Sequence, residues 1–411
     1  MVVGAGVVGL SSAYYLQERG FEVSVIDRNA KGSWNCSYVN GGMIVPSHFV
    51  PMAAPGMIST GLKMMLHPKS PFRIKPRLDF QLLGWLWRFA RAANAAHVQR
   101  CAPILVELHL RSKSLYRQLA KEPGADFELE NRGLLALCKK QETLDHESSL
   151  AHRAQDLGMR ADVLDSRQLS GLEPNIAMDV AGAVHYQDDA QLIPMRFMDW
   201  LRAKLTDKVE FIDEEEVPEL RLEQGKVILG RRSSNQTSAD VIVLSAGSWT
   251  GELCRQFGLN MPLQGGKGYS FLVDKPTELP SICALLAEAR VAVTPMGGQL
   301  RFAGTLEIAG HDERIDTRRV RGIIESIPEY YPSYSTQMLE CNTVSTGMRP
   351  CAPDGMPYIG KTDRARNVIV ATGHGMMGMS MGPITGKLVA QIANGEAPEI
   401  DLDLCSPDRY A

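Results

Sequence analysis

A strand, a glycine turn and an amphipathic helix open the chain of 411 residues, the same succession returns near its C-terminus, and strand-like segments fill the stretches between. Together these predict an α/β protein of two interleaved domains. One is Rossmann-like and dinucleotide-binding, assembled from discontinuous segments; the other is an α+β domain on a mixed or antiparallel sheet. The length agrees, because 411 residues exceed what one hydrophobic core usually serves.

Met1-Val2-Val3 reads as a β-branched strand that runs into Gly4-Ala5-Gly6-Val7-Val8-Gly9, and LSSAYYLQERG then carries the apolar spacing of a helix. The first glycine permits the tight turn, the second admits backbone to a pyrophosphate, and the third lets the helix pack closely on the strand. The helix N-terminus then faces the phosphates with its positive end. FEVSVI forms a second strand ending at Asp27, eighteen residues beyond Gly9, where an acidic side chain accepts hydrogen bonds from a ribose.

Nicotinamide and flavin dinucleotides both use this unit, so the remaining segments must separate them. Trp34-Asn35-Cys36-Ser37-Tyr38-Val39-Asn40-Gly41-Gly42-Met43 offers polar side chains and backbone amides to the rest of a dinucleotide, although an Asn-Gly-Gly turn has the same composition. Asn367-Val-Ile-Val-Ala-Thr-Gly-His374-Gly-Met-Met-Gly378 is a second strand and glycine turn, followed by the helix-like PITGKLVAQIANG. Between these ends RGLLALCKK, AGAVHYQDD, KGYSFLVD, ARVAVTPM and QLRFAGTLEI read as strands, Pro194 opens a helix at MRFMDWLRAKL, and APEIDLDLCSPDRYA reads as a short extended tail.

Composition narrows the function. With 44 Lys+Arg against 47 Asp+Glu, general nucleic-acid binding is not expected. Eight cysteines scattered without a CxxC pair suit free thiols in a reducing, cytoplasmic setting, and no metal site is expected. No apolar stretch reaches the roughly 18 residues of a spanning helix, and the start lacks the features of a signal peptide. Locally the balance differs: residues 57–100 hold eight Lys and Arg against Asp79 alone. Within FQLLGWLWRFAR, Leu83, Trp87 and Ala90 share a helical face, with Leu82, Leu86 and Phe89 adjoining it. Such a segment suits peripheral contact with the inner face of a cytoplasmic membrane, and equally a core-packed helix beside a solvated basic loop.

VVGAGVVGLSSAYYL, SYVNGGMIVP, DVIVLSAGSW, GMRPCAPDGMPYIG and ATGHGMMGMSMGPITGK together resemble the D-amino-acid dehydrogenase group of the FAD-dependent D-amino-acid oxidase superfamily, along nearly the whole chain. PMAAPGMISTGLKMMLHPKSPFRIKP resembles an insertion of the dehydrogenases. The resemblance implies FAD. It puts Gly4, Gly6 and Gly9 on the pyrophosphate, Asp27 and Arg28 at the adenosine ribose, and Ser37, Asn40, Gly41, Gly42 and Met43 along the diphosphate, ribityl chain and flavin edge. It also implies Val217 at adenine, Ala246, Gly247 and Trp249 over the adenosine half, and Gly373, His374, Gly375, Met376 and Met377 beside the ring. Gly347 stands where related sarcosine oxidases carry a flavin-linking Cys, so non-covalent FAD is implied.

Oxidation of an amino acid at flavin demands orientation above all, and a planar guanidinium supplies it by gripping a carboxylate with two hydrogen bonds. Arg349 is the candidate, Tyr269 a second donor, and His48 a third group near the pocket; His374 is expected to brace its turn. The implied reaction takes hydride from Cα of a D-amino acid whose amine is neutral, with D-proline-type secondary amines open, and yields an imino acid and then a 2-oxo acid. Electrons then pass to a quinone or respiratory acceptor. A glycine- or sarcosine-type oxidase using O₂, an NAD enzyme and a non-catalytic flavin protein remain as alternatives. The FAD domain is expected at 1–46, 193–256 and 340–411, and the substrate domain at 47–192 and 257–339.

Overall fold

The structure is a computed structural model that describes residues 1–33, 35–65, 67, 69–230 and 237–411. A six-stranded sheet runs in the order Tyr358–Thr362, Ala365–Thr372, Ile242–Leu244, Val2–Val3, Val23–Ile26, Val209–Ile212. All neighbours are parallel except the first pair. The opening strand has two residues, yet it lies in the middle, bonded to Val243–Leu244 on one side and Val25–Ile26 on the other. Being covered on both faces, these strands read as unbroken β-branched runs instead of alternating ones.

Two helices cover one face, Val7–Gln17 and Gly378–Ala393. They meet along Gly382 and Gly386, spaced four apart so that they share one side. A Cβ on Gly382 would stand 2.6 Å from Val7 Cγ2, and one on Gly386 only 2.4 Å from the Ser11 carbonyl carbon. The long helix Ala95–Leu119 clamps the second of these from outside: His109 Nδ1 meets Ser380 Oγ at 2.7 Å and the Tyr116 hydroxyl donates to Met379 O at 2.5 Å.

The second layer is a nine-stranded sheet. Its order is Val344–Cys351, Gln264–Val273, Gln299–Ile308, Val291–Met296, Cys283–Leu286, Leu134–Cys138, Gly182–Tyr186, Ala161–Asp165, with Phe72–Ile74 attached to Gln299–Ile308. The pairings are antiparallel except Cys283–Leu286 with Leu134–Cys138, and Phe72–Ile74 with its neighbour, which makes the sheet mixed. All five segments read as strands from sequence are strands here, and the helix opened by Pro194 runs Pro194–Leu205. An isolated bridge between Cys351 and His374 ties this sheet to the turn before the last helix.

Two expectations need correction. The tail folds back in turns, with a 3₁₀ helix at Asp403–Cys405, because Arg409 forks onto Asp354 at 2.8 and 3.0 Å and lies 3.7 Å over the Tyr358 ring. The basic stretch is partly paired with distant acids: Lys69 pairs with Glu325, Arg73 with Asp316 and Lys75 with Asp312, besides Arg77 with Asp79. Its helix, Phe80–Ala92, has one buried and one exposed apolar face, so both readings stay open. Leu82 and Trp85 are buried against Ile308 and Cys351, while Leu83 and Trp87 are exposed, as are Phe80 at 92% and, on the helix Met57–Met65, Met57, Ile58 and Leu62. No helix of the described residues is long and apolar enough to cross a membrane.

The helix contact at Gly386 admits no side chain, so Gly386→Ala should cost about 1–3 kcal/mol by overpacking. A lower melting temperature and poorer retention of FAD are the expected readouts; an unchanged melting curve would refute the packing argument. Burial also holds His48 and His374 at about 4 and His109 at about 3, all below the ordinary 6.5. The unfolded rings therefore take up protons first on acidification, so stability present above about pH 6.5 is lost as the pH falls toward 4, by at most about 1.4 kcal/mol per pH unit for each ring. Melting temperatures should fall through that window, less steeply in His48→Gln; a flat profile counts against buried neutral imidazoles.

Candidate active site

A cavity of about 330 Å³ lies at the carboxyl ends of the parallel strands, running from Val217 past the glycine turn to Arg349 and Gly375. Gly4 has φ +105°, a region that only glycine enters freely, and its carbonyl oxygen stands 1.8 Å from where a Cβ on Gly9 would sit. The turn therefore closes only with glycine at both places. Asp27 holds it from beneath, accepting from Ala5 N at 2.6 Å and from Asn29 N at 2.8 Å. Ser37 Oγ accepts from Val7 N at 3.0 Å and so caps the first helix across a gap of thirty residues. The first-turn amides of a helix lack partners within it, and here two such ends, at Val7 and Gly378, border one cavity.

The loop after Ser37 is fixed by its carbonyls. Arg301 Nη1 donates to Tyr38 O at 3.1 Å and Asn40 O at 2.9 Å, Ser270 Oγ to Val39 O at 3.0 Å, Thr294 Oγ1 to Gly41 O at 2.6 Å, and Leu192 N to Gly42 O at 2.8 Å. Arg301 is 3% exposed, its guanidinium pushed down to about 10 by burial and thus still charged near neutrality. Among the described residues no carboxylate lies within salt-bridge distance of it, and its Nε has no hydrogen-bond partner. The sequence reading missed Arg301, Ser270 and Thr294. The available signal was an arginine at an inward position of an apolar strand, QLRFAGTLEI.

Of the residues singled out from sequence, Gly4, Gly6, Asp27, Arg28, Ser37, Asn40, Val217, Ala246, Gly247, Trp249, His374, Gly375 and Arg349 line the cavity. Gly9 lies beneath the turn. Gly41, Gly42 and Met43 are not among the lining residues: Gly41 O is bound by Thr294 of the second layer, Gly42 O by Leu192 N, and Met43 pairs with Gln191. Gly373 packs on the Tyr358 ring, Met376 is exposed, and Met377 Sδ is 3.3 Å from His109 Nε2. Arg28 lies 3.7 Å over the Trp249 ring, against which the His311 ring stacks at 4.7 Å, and Arg28 and Trp249 line the cavity together with Val217. Trp34 lies outside the described residues.

Arg349 leaves the strand Val344–Cys351 toward the cavity, its Nη1 donating to Thr305 O at 2.5 Å. Burial lowers its pKa, and the neighbouring thiols of Cys36 and Cys351 oppose that; burial in turn raises Cys36 and pushes Cys351 up to about 12, so both stay protonated. Among the described residues no carboxylate lies within salt-bridge distance of Arg349. Trp85 Nε1 donates to Cys351 O at 2.9 Å, securing the strand two residues further on.

Tyr269 does not join Arg349. Gly266 is paired with Arg349 and therefore shares its face, Gly268 follows on that face, and Tyr269 falls on the other by strand alternation. Its hydroxyl donates to Glu307 Oε2 at 3.1 Å and accepts from Asp316 N at 3.2 Å, next to the buried Lys267–Glu307 pair. His48 is likewise off the wall, with Nδ1 3.3 Å from Ser47 Oγ. His374 is on the wall, with its Nε2 engaged by Thr385 Oγ1 at 2.9 Å and its pKa lowered to about 4 by burial, so the ring is neutral near neutrality.

The elongated cavity, the glycine cradle that a Cβ would fill and the two helix N-termini fit a dinucleotide with a second group beyond its pyrophosphate, which is the shape of FAD. Comparison with known proteins agrees. The family described as DAO, FAD dependent oxidoreductase, matches residues 1–392. A D-amino acid dehydrogenase of Granulibacter bethesdensis is 30% identical over 417 aligned residues, covering 100% of this chain and 99% of the relative, and one of Methylobacterium nodulans is 31% identical over 421, covering 100% and 98%. In fold the chain is similar to glycine oxidase from Geobacillus kaustophilus, with TM-score 0.79 at 20% identity covering 100% and 98%, and to L-proline dehydrogenase from P. horikoshii, with TM-score 0.73 at 15% identity covering 100% and 96%. A match of this extent, on a cavity so built, means that the chain belongs to the DAO family of FAD-dependent oxidoreductases.

Proposed function

We propose that the protein is a D-amino acid dehydrogenase with non-covalent FAD, in which Arg349 holds the substrate carboxylate. The carrying observation is a cavity guanidinium whose sole recorded hydrogen bond goes to a backbone carbonyl, with no carboxylate in reach among the described residues. A buried cation left in this way is stabilised strongly by an incoming anion. The names of full-length relatives supply the substrate class. FAD, when bound, supplies the acceptor for the hydride from Cα. The chain's own residues bind and orient: Arg349 fixes the carboxylate, and Ser37 and Asn40 line the cavity at the start of a loop braced by Arg301. The amino acid loses two electrons and two protons to become an imino acid, which water converts to a 2-oxo acid and ammonia.

Proton removal from the amine needs no side-chain base in this reading. His374 is bonded to Thr385 and, with a pKa near 4, is a poor proton acceptor; activity then rises with pH as the substrate's own amine loses its proton. Electrons leave for a quinone in the membrane. That part rests on the exposed apolar side chains of two helices, Met57, Ile58 and Leu62 on one and Phe80, Leu83 and Trp87 on the other, where Arg88 and Arg91 lie over Trp87 and, among the described residues, no carboxylate pairs with Lys63, Arg88 or Arg91. Apolar side chains ringed by unpaired cations suit the headgroup zone of an anionic bilayer at the cytoplasmic face.

Arg349→Ala should lower kcat/KM for D-amino acids about 10²–10³-fold with bound FAD retained; turnover within about threefold of the parent removes Arg349 from this role. Peroxide formed in step with substrate, in place of dye or quinone reduction, would point to an oxidase instead. Sedimentation with vesicles of phosphatidylglycerol should be lost in a Leu83→Glu/Trp87→Glu variant whose dye-linked turnover is kept. Equal sedimentation of both proteins would dismiss the bilayer contact.

A further inference from the structure

The strand Gln264–Val273 holds three glycines, and a central strand tolerates glycine poorly unless something approaches it closely. For two of them the reason lies within the sheet. A Cβ on Gly265 would meet Gly310 O at 2.2 Å, and one on Gly266 would meet Cys351 Sγ at 2.6 Å and Leu306 Cδ1 at 2.7 Å. Gly268 differs, because the three atoms its Cβ would meet first all belong to the Arg349 guanidinium: Nη2 at 2.3 Å, Cζ at 2.5 Å and Nη1 at 2.6 Å. The guanidinium therefore rests on bare backbone.

Opposite that glycine the neighbouring strand carries an extra residue. Tyr269 pairs with Gly304 and Lys267 with Glu307, so Thr305 and Leu306 together face Gly268. Thr305 has φ +67°, a left-handed conformation that a β-branched residue rarely takes, and its carbonyl accepts from Arg349 Nη1. Leu306 N donates to Pro71 O at 2.7 Å, which secures the bulge from its far side. One strained residue thus aims an acceptor at the fork, and one missing side chain gives it a surface to lie on.

We propose that Gly268, with the Thr305 bulge opposite, is a positioning element that sets the plane of the Arg349 guanidinium and thereby how tightly and in what orientation a carboxylate is held. This rests on the reading of Arg349 given above. Because the obstructed atoms end a flexible side chain, a methyl group at position 268 displaces the fork and leaves the sheet standing.

The test is Gly268→Ala in the holoenzyme, with propionate binding followed by calorimetry and turnover of D-alanine by a dye. Propionate Kd and the KM for D-alanine should rise about 10–100-fold, kcat should change far less, and bound FAD and melting temperature should match the parent. The same substitution in an Arg349→Lys background should add less than about threefold, since an ammonium has no plate to displace. Unchanged propionate affinity in Gly268→Ala, or an equal penalty in both backgrounds, overturns the proposal. Should Gly268→Ala fail to fold, the double variant decides: folding restored with the fork gone supports the proposal, and continued failure overturns it. Arg349→Lys alone serves as the separate check, because propionate affinity equal to the parent's would remove the reading of Arg349 and this proposal with it.

Discussion

Five consecutive peptide carbonyls, Tyr38 to Gly42, are bound by groups from elsewhere in the fold: three side chains of the nine-stranded sheet and the amide of Leu192. A loop whose carbonyls are all taken has one conformation. That constraint joins the two layers at the cavity, since the loop begins at Ser37, which caps the first helix, and ends in a strand paired with Ala190–Gln191. Arg301 bears the largest part. A buried guanidinium without a counter-ion is costly, and two carbonyl oxygens offset that cost only while the loop keeps its course. The charge and the loop shape therefore stabilise each other, and whatever disturbs one disturbs both.

The other side of the cavity is built by closeness. Helices that meet through glycine bring their N-termini near enough to border one site, and the strand of Arg349 runs beside a glycine strand for the same geometric reason. Side chains are withheld where backbone or a functional group must come within van der Waals distance, and supplied in quantity a few residues away, where Leu388, Val389 and Ile392 fill the core. The glycines of the chain therefore mark approaches more than flexibility.

Local chemistry made part of this legible in the sequence. The glycine turn, Asp27 and the far turn at Gly373–Gly375 follow from neighbouring residues, and the strands between show their pattern directly. Relationships between distant segments did not. Tyr269 looked like a partner for Arg349, but which face it takes depends on the register of Gln264–Val273 against Val344–Cys351. The basic stretch looked unpaired because Asp312, Asp316 and Glu325 lie more than two hundred positions along. Arg301 passed unnoticed because its acceptors are at Tyr38 and Asn40. In each case propensity gave the element, and only strand pairing gave the neighbour.

The order of strands in the six-stranded sheet governs how the protein comes into being during synthesis. Val2–Val3 has one lateral neighbour, Val23–Ile26, close behind it in the chain, but the other, Ile242–Leu244, is made some 240 residues later, and that strand's own neighbour, Ala365–Thr372, later still. Through much of elongation the side of Val2–Val3 that faces Ile242–Leu244 thus stays open, a state prone to aggregation. The cavity is complete only once the segment Ala371–Met379, which lines it, has been made. A chain cut short before that segment lacks one of the two helix N-termini that border the cavity.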